Sequence, residues 1–286
     1  MIALIGSNSQ LGKCFSEQTK FNIFKLDSHD LNLKHIDEIK ESLNTKKFDV
    51  VINFSAFNDV EDAEKNEDAF LVNHLAVKKI AELCKRDNAF FIHISTDYVF
   101  DGSAQFYDEK CTPNPINKYG LSKLLGEEAI RNFCTEYIIL RTSWLYSHHI
   151  SPNNFLHNIK KNFDLNSNTM YGSIDSFGSP TSASNLADGV ETILNYFFDS
   201  SLKFGTYHFA DIGNISRFKF LEKILADLSK LNPEKKKILE KVENSFFNLV
   251  APRPLNTSLN CDLFSKEFHY QFENWDNALS KVVKKL

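Results

Sequence analysis

The chain of 286 residues lacks the features that direct a protein to a membrane, to export or to a nucleic acid. No apolar stretch approaches the roughly 18 consecutive residues needed to cross a bilayer. The N-terminus shows no basic segment leading into an apolar run with a small-residue cleavage site. The net charge is −4 and the lysines are scattered, so no basic patch for DNA, RNA or anionic lipid is predicted. We therefore expect a cytoplasmic protein with a small-molecule partner.

Cysteine pairs and metal-binding spacings are missing as well. The five cysteines are an odd number, and none lies in a C-x-x-C pair or at metal-ligand spacing with histidines: Cys14, Cys84, Cys111, Cys134 and Cys261. The sequence therefore predicts reduced thiols and no metal. With 42% apolar and 24% charged residues, a chain of this length can bury a sizeable core without disulfides.

Short apolar runs alternate with helical patterns over the first part of the chain, which is typical of a parallel sheet built from strand-helix-strand units. Apolar residues at three- and four-residue spacing predict a helix over Ala69–Arg86, and later a helix over Phe218–Leu231 and a short strand over Thr206–Ala210. The five earlier runs that we interpret as strands are Ile2–Ile5, Asn22–Leu26, Val50–Asn53, Phe90–Ser95 and Tyr137–Arg141.

Small and polar residues follow four of these strands. In open α/β sheets ligands bind beyond the carboxyl ends of the strands, so four such exits predict one crevice. The exits are Gly6-Ser7-Asn8-Ser9, Asn53-Phe54-Ser55-Ala56, Ser95-Thr96-Asp97-Tyr98 and Arg141-Thr142-Ser143-Trp144. The predicted fold is α/β, a Rossmann-type doubly wound parallel sheet. Residues 1–150 would form the NAD(P)-binding domain, and residues 151–286 a smaller, mainly substrate-binding region with some segments returning to the sheet.

The first exit has the spacing of a phosphate-binding loop. Gly6-Ser7-Asn8-Ser9-Gln10-Leu11-Gly12 joins a strand to a helix, whose N-terminus attracts a pyrophosphate, and Ser9 stands where such loops usually carry a middle glycine. Asp27, at the end of the second strand, is placed for an adenosine ribose and would favour NAD, whereas Lys25, Ser28 and His29 are near enough to accommodate the 2′-phosphate of NADP. Asp30-Leu31 would meet the adenine. Either NADP or NAD therefore fits the sequence.

A tyrosine and a lysine lie four residues apart in Tyr119-Gly120-Leu121-Ser122-Lys123, on one face of a predicted helix. A lysine cation, together with oxidised nicotinamide, stabilises the tyrosine phenolate, so the pair can relay a proton near neutral pH. Thr96, at a strand exit, would orient the substrate oxygen. Thr96, Tyr119 and Lys123 are the predicted catalytic residues.

These motifs resemble the dTDP-4-dehydrorhamnose reductase family in order along essentially the whole chain. The residues that carry the resemblance are Ser95-Thr96-Asp97-Tyr98-Val99-Phe100-Asp101-Gly102, Tyr119-Gly120-Leu121-Ser122-Lys123, Arg141-Thr142-Ser143-Trp144-Leu145-Tyr146, Ser179-Pro180-Thr181-Ser182, Tyr207-His208-Phe209 and 251–260. Family members are extended short-chain reductases that transfer a hydride from NAD(P)H to the C4 ketone of a nucleotide-linked deoxysugar.

The resemblance implies a role for each matching residue. Tyr119 would donate the proton, Lys123 would lower its pKa and hold the nicotinamide ribose, and Thr96 would bond the ketone oxygen. Phe54, Ser55, Ala56 and Ser95 would border the cofactor, and Phe57, Asn58, Asp97, Trp144 and Arg253 the nucleotide sugar, with Arg253 at its diphosphate. Phe54 and Phe57 replace the small residues usual after the third strand, so the sugar itself stays open. Relatives are usually dimers, and some use interface carboxylates for a metal, but no carboxylate cluster stands out here.

Two other functions fit the same scaffold. An epimerase or epimerase-reductase would need a further acid and base, often cysteine and histidine. Cys111 is near the site in sequence, but position 97, directly after Ser95-Thr96, is an aspartate, so no well-placed thiol is predicted. A non-catalytic nucleotide-binding subunit, like the regulatory subunit of methionine adenosyltransferase, is the alternative of another class.

Overall fold

The computed structural model describes residues 1–44, 46–149, 154–165 and 169–286. Its twelve strands within these ranges are β1 Ile2–Ile5, β2 Ile23–Leu26, β3 Val50–Asn53, β4 Phe90–Thr96, β5 Tyr137–Thr142, β6 Leu145–Tyr146, β7 Thr169–Ser173, β8 Phe177–Gly178, β9 Thr181–Ser182, β10 Gly205–His208, β11 Ile215–Ser216 and β12 Ile238–Val242. Its helices are α1 Gln10–Gln18, α2 Ile36–Asn44, α3 Asp68–Phe70, α4 Ala76–Asp87, α5 Lys118–Phe133, α6 Phe155–Asp164, α7 Ala183–Phe198, α8 Arg217–Leu231, α9 Asp262–Phe268 and α10 Trp275–Val283.

Six parallel strands form the central sheet, in the order β10-β5-β4-β3-β1-β2. The order reverses at β1, which pairs with both β2 and β3, so the loops after β1 and β3 diverge to opposite sides and leave a crevice between them. The predicted α/β doubly wound fold is confirmed. Each of the five early strands lies within one residue of its predicted bounds at either end.

Side chains that alternate along the strands feed two apolar cores. In β1, Ile2 and Leu4 face a cluster with α1, α7 and α9, whereas Ala3 and Ile5 face one with α2, α4 and α5. Successive strand residues point to opposite faces, and helices cover both faces here, which explains the continuous apolar runs. A third cluster joins α6, α8 and α10 below the carboxyl edge of the sheet.

The later part of the chain contributes both to the sheet and to this third cluster. β10 pairs with β5 in parallel, two residues shorter at its end than the predicted Thr206–Ala210, and α8 begins one residue before the predicted Phe218. The predicted helix over Ala69–Arg86 is a continuous helical stretch that includes a π-helical turn at Leu71–Leu75. The predicted domain boundary at 150/151 lies outside the described residues. None of the described helices is long and apolar enough to cross a bilayer.

Candidate active site

The loop between β1 and α1 is held in a tight turn by two glycines. Gly6 has a φ of +79°, and a Cβ there would lie 2.7 Å from the backbone nitrogen of Ser55. A Cβ on Gly12 would lie 2.3 Å from the Gly6 carbonyl oxygen. Only glycine lets the helix and the neighbouring loop approach the turn this closely. The space is therefore shaped for backbone contact, as a dinucleotide pyrophosphate requires.

Ser9 is the N-cap of α1. Its Oγ accepts a hydrogen bond from the backbone N–H of Gly12 at 3.0 Å, which satisfies one of the free donors of the first helical turn. Because the hydroxyl accepts this bond, its own hydrogen remains available to a phosphate oxygen. Ser9 thus caps α1 at the position where phosphate-binding loops of this spacing usually carry a glycine.

Asp27 extends this surface at the end of β2. Its carboxylate accepts hydrogen bonds from the backbone N–H of His29 at 2.8 Å and from Asn8 Nδ2 at 2.7 Å. The bond from His29 is the main cause that lowers the pKa of Asp27, so the exposed carboxylate is ionised at neutral pH. Asp30 accepts from the Asp27 backbone N–H at 3.0 Å, and the Leu31 side chain is buried in the core.

A cavity of about 280 Å³, which we call the central cavity, opens at the carboxyl edge of β1, β3, β4 and β5. Among the predicted site residues it brings together Ser9, Gln10, Leu11, Phe54, Ser55, Ala56, Asn58, Ser95, Thr96, Asp97, Tyr119, Lys123 and Trp144. The others lie outside its wall: Gly6, Ser7, Asn8 and Gly12 in and behind the turn, Asp27, Asp30 and Leu31 beyond it, and Phe57 and Arg253 on other sides.

Tyr119 is about nine-tenths buried in α5 and lines the central cavity. Burial raises the pKa of its phenol above the usual range; a hydrogen bond with Thr96 works against this shift, and the charge of Asp97 adds to it. The phenol is therefore neutral in the protein alone and has a proton to donate. The lowering of this pKa by Lys123 together with oxidised nicotinamide stays a prediction for the cofactor-bound site.

Lys123 lies one helical turn below Tyr119 and is almost completely buried. Its Nζ donates to the carbonyl oxygen of Ile94 at 2.6 Å and lies 3.2 Å from Nε2 of His93. Burial lowers the pKa of Lys123 to about 8, and the charge of Glu127 opposes that shift. An ammonium has three donors, so one remains for a hydroxyl in the cavity.

Glu127 is a buried carboxylate beneath the site that was not predicted from the sequence. Its carboxylate accepts from Ser95 Oγ at 2.5 Å, from Arg141 at 2.9 and 2.7 Å, and from Arg131 at 2.6 Å. These bonds join α5 to the carboxyl ends of β4 and β5, so they fix Thr96 relative to Tyr119. The spacing of Glu127 four residues after Lys123 was the available signal.

Asp97 is also buried beside the cavity. It accepts from Ser143 Oγ at 2.7 Å, from Thr96 Oγ1 at 3.1 Å and from the Thr257 hydroxyl. Burial raises the pKa of Asp97, and the three hydroxyl donors oppose that shift. Asp97 therefore positions the Thr96 hydroxyl and ties the exits of β4 and β5 to the segment around Thr257.

A second space of about 710 Å³, the side cavity, lies against the C-terminal region. Tyr98, Arg217 and Arg253 line it, together with apolar side chains such as Met170 and Phe247. Neither Tyr98 nor Arg217 was predicted as a site residue from the sequence. Arg253 donates to Glu61 Oε1 at 2.6 Å, while its Nε is buried without a hydrogen-bond partner in the described structure. Arg217 and Arg253 thus bring two guanidinium groups to this cavity, and that of Arg253 is paired with Glu61.

Trp144 lies between the two cavities. It lines the central cavity, and the guanidinium carbon of Arg217 lies 3.5 Å from the centre of its ring. Its φ is +45°, a conformation that is strained for a tryptophan and must be held by its surroundings. Gly178 leaves room for the indole, because a Cβ there would lie 2.5 Å from it. Trp144 thus packs against a cation at the boundary between the two spaces.

Two residues that bear on the alternatives lie away from the cavity wall. Phe57 packs against Ala63, Ala69 and Tyr119. Cys111 donates through Sγ to Asp108 Oδ1 at 3.2 Å and packs near Val99. Neither one belongs to the residues that line the central cavity, so the wall described here offers no thiol for an epimerase.

Comparison with known proteins places this geometry in a family. The family model described as the RmlD substrate binding domain matches residues 1–286. The dTDP-4-dehydrorhamnose reductase of Sinorhizobium fredii is 29% identical over 289 residues, covering 99% of this chain and 96% of that protein. The spore coat polysaccharide biosynthesis protein SpsK of Bacillus subtilis is 32% identical over 231 residues, covering 79% of this chain and 78% of that protein.

A solved structure agrees over the full length. The crystal structure of dTDP-4-dehydrorhamnose reductase from Bacillus anthracis in complex with NADP superposes with a TM-score of 0.88 at 28% identity, covering 100% of this chain and 99% of that one. The predicted resemblance is confirmed, and the chain belongs to the family of the RmlD substrate binding domain.

Proposed function

We propose that the protein is an NAD(P)H-dependent reductase of the C4 ketone of a nucleotide-diphosphate-linked 4-keto-6-deoxysugar, acting in the biosynthesis of a surface-polysaccharide sugar. The observation that carries this proposal is the convergence of Thr96, Tyr119 and Lys123 on one cavity beside a phosphate-binding turn. The activity named for the relatives, dTDP-4-dehydrorhamnose reduction, supports it.

The residues around the central cavity fit a dinucleotide cofactor. The Gly6–Gly12 turn leaves space that a Cβ would fill, the N-terminus of α1 lies on the cavity wall where it would attract an anion, and Asp27 is an ionised acceptor for a ribose hydroxyl. Phe54, Ser55 and Ala56 after β3 would border the bound dinucleotide, and Lys123 would hold its nicotinamide ribose. A bound reduced nicotinamide, from NADPH or NADH, supplies the hydride for the reaction.

The protein's own residues supply the proton that the ketone oxygen gains. The Thr96 hydroxyl would turn its single hydrogen from Asp97 to the ketone oxygen, and the neutral Tyr119 phenol would donate its proton to the same oxygen as C4 gains the hydride. The positive charge of Lys123 stabilises the phenolate that remains. Asp97 and Glu127 act as positioning residues, because they fix Thr96 and α5 through the bonds described above.

The nucleotide diphosphate would extend into the side cavity. Arg253 and Arg217 provide guanidinium groups suited to phosphate oxygens, and the apolar wall around Phe247 suits a base. Trp144 and Asn58 would border the sugar between the two spaces. Residues 151–286 are then mainly a substrate-binding region. We also propose a cytoplasmic location and a homodimer, the usual assembly of the family.

Purified protein should oxidise NADPH or NADH only when a 4-keto-6-deoxy nucleotide sugar is present. The loss of absorbance of the reduced nicotinamide measures this oxidation. A panel that varies the nucleotide and the sugar identifies the substrate. Tyr207→Phe is a matched control for Tyr119→Phe. The Tyr207 hydroxyl donates to the carbonyl oxygen of Lys203 at 2.9 Å, outside the central cavity, so this variant should keep full activity. Cofactor binding without oxidation across the whole panel would favour a non-catalytic subunit instead.

A further inference from the structure

The fold brings together a cysteine and two histidines that are far apart in the sequence. Within the described ranges, the potential ligand atoms of Cys14, His148 and His149 all lie within 4.8 Å of one another. Cys14 lies on α1, and the two histidines follow β6. None of the three lines the central or the side cavity. The cluster is therefore separate from the reductase site.

The donor set suits a borderline divalent ion. One thiolate and two imidazoles are ligands that Zn²⁺ and its neighbours prefer, and a four-coordinate site needs one more. Glu17 lies three residues after Cys14 on α1, and its Oε2 is 3.3 Å from Nε2 of His149. Two ligands would thus come from one helix and two from one loop.

One ring nitrogen of His149 has no hydrogen-bond partner among the described residues. Nε2 of His149 is shut off from solvent and has no hydrogen-bond partner in the described structure, although the Glu17 carboxylate is close. A buried polar atom without a partner is destabilising, and a metal bond would satisfy it. The side chain of Cys14 is also buried, with a Ser184 hydrogen bond at its thiol.

The charges around the cluster partly oppose one another. The positive charge of Lys285 and the negative charge of Glu17 both act on Cys14 and on His148. On binding an ion, the Cys14 thiol would release its proton to the solvent and form a sulfur–metal bond, with no change of oxidation state. The thiolate and the Glu17 carboxylate together would then balance a divalent charge.

We propose that Cys14, His148 and His149, with Glu17 as the fourth ligand, bind one zinc-class divalent ion that fastens α1 to the segment after β6. Ser147, next to His148, donates to Gln10 Oε1 at 3.0 Å, and Gln10 lines the central cavity one helical turn before Cys14. The ion would therefore stabilise the helix that begins at the phosphate-binding turn. The site is structural and takes no part in the chemistry of the reductase.

The test uses the full chain, freed of metal with a chelator and kept reduced. Titration with Zn²⁺ should show one equivalent bound by calorimetry and a rise in the thermal unfolding midpoint. Co²⁺ in place of zinc should give a near-ultraviolet thiolate charge-transfer band and the visible spectrum of a four-coordinate ion. Cys14→Ser and His149→Ala should lose both the binding and the rise in midpoint.

Matched variants separate this site from other thiols and histidines. Cys134→Ser removes a buried cysteine elsewhere, and His35→Ala removes a surface histidine beside Glu38; both should bind zinc as the unchanged protein does. If Cys14→Ser does not fold, His149→Ala and Glu17→Gln carry the test. Absence of stoichiometric binding, binding that survives His149→Ala, or a cobalt spectrum without the thiolate band would overturn the proposal.

Discussion

The phenol of Tyr119 differs from an ordinary surface tyrosine because it is buried beside hydroxyl groups. Burial raises its pKa, while the Thr96 hydroxyl and the charge of Arg253 oppose that shift in the protein alone. A neutral phenol suits the reduction direction, in which the site must give up a proton. The reverse direction requires a cation near the phenolate, which is the role proposed for Lys123.

Replacing the phenol tests this role directly. Tyr119→Phe should lower turnover by roughly 10²–10⁴-fold, the usual contribution of a positioned acid, while the cofactor dissociation constant changes little. Steady-state kinetics and fluorescence titration of NADPH measure the two quantities. A variant with near-normal turnover would show that another group donates the proton.

The buried amine of Lys123 predicts a pH dependence. Its pKa is lowered from 10.5 to about 8, so the ammonium is present below that pH and is lost as the pH rises through it. We expect kcat/KM for the cofactor, which reports the free enzyme, to fall with an apparent pKa near 8. Lys123→Arg keeps its charge and should move this limb to higher pH. An unchanged limb in that variant would contradict the assignment.

The sequence predicted many of the residues that line the central cavity, but not the partners that hold them. Tyr119, Lys123 and Thr96 were found because a helical spacing and a strand end fix their places. Glu127, Arg217 and Tyr98 were missed, because each makes its contacts with an element distant in the chain. Local patterns predict which face a residue takes, whereas the partner it meets depends on tertiary packing.

At the scale of elements, α1 links the phosphate-binding turn to the core. Its first turn depends on the Ser9 cap, and its apolar face packs against α7 through Leu11, Cys14 and Phe15. The capping role follows from serine chemistry but was not predicted from the sequence, and the same hydroxyl has a hydrogen left to donate to a phosphate. Both roles are available to one hydroxyl.

Substitution of the cap separates the two roles. Ser9→Ala should lower the free energy of unfolding by ~1 kcal/mol, whereas Ser9→Gly should lower it by only a few tenths. Both should weaken cofactor binding by roughly threefold to tenfold through the lost phosphate bond. Urea denaturation and NADPH titration measure these effects.

Ser216 offers a control at another helix. It caps α8, where its Oγ accepts from the Lys219 backbone N–H at 3.2 Å. Ser216→Ala should lose comparable stability and leave cofactor affinity unchanged. If it weakened cofactor binding as much as Ser9→Ala does, the phosphate bond proposed for Ser9 would be unsupported.

At the scale of the whole molecule, the order of strands in the sheet brings the loops after β1, β3, β4 and β5 to one cavity. The reversal at β1 opens the central cavity, and the C-terminal region closes the side cavity against it. The strand-helix alternation predicted the sheet, but the short strands β6 to β9, β11 and β12 carry two to five residues each and give no periodic signal. Their pairings, such as that of Ile215 with Gly178 and that of Leu145 with Thr181, join segments distant in the chain.

The most direct test of the reductase follows the hydrogen atoms. Nicotinamide cofactor carrying deuterium at the transferable position is incubated with a 4-keto-6-deoxy nucleotide sugar, and the product is examined by NMR and mass spectrometry. We predict one deuterium at C4 of the sugar, no solvent hydrogen exchanged into the neighbouring carbons, and loss of this transfer in Tyr119→Phe. A product without deuterium at C4, or a sugar that gains solvent hydrogen beside an unreduced ketone, would contradict the account.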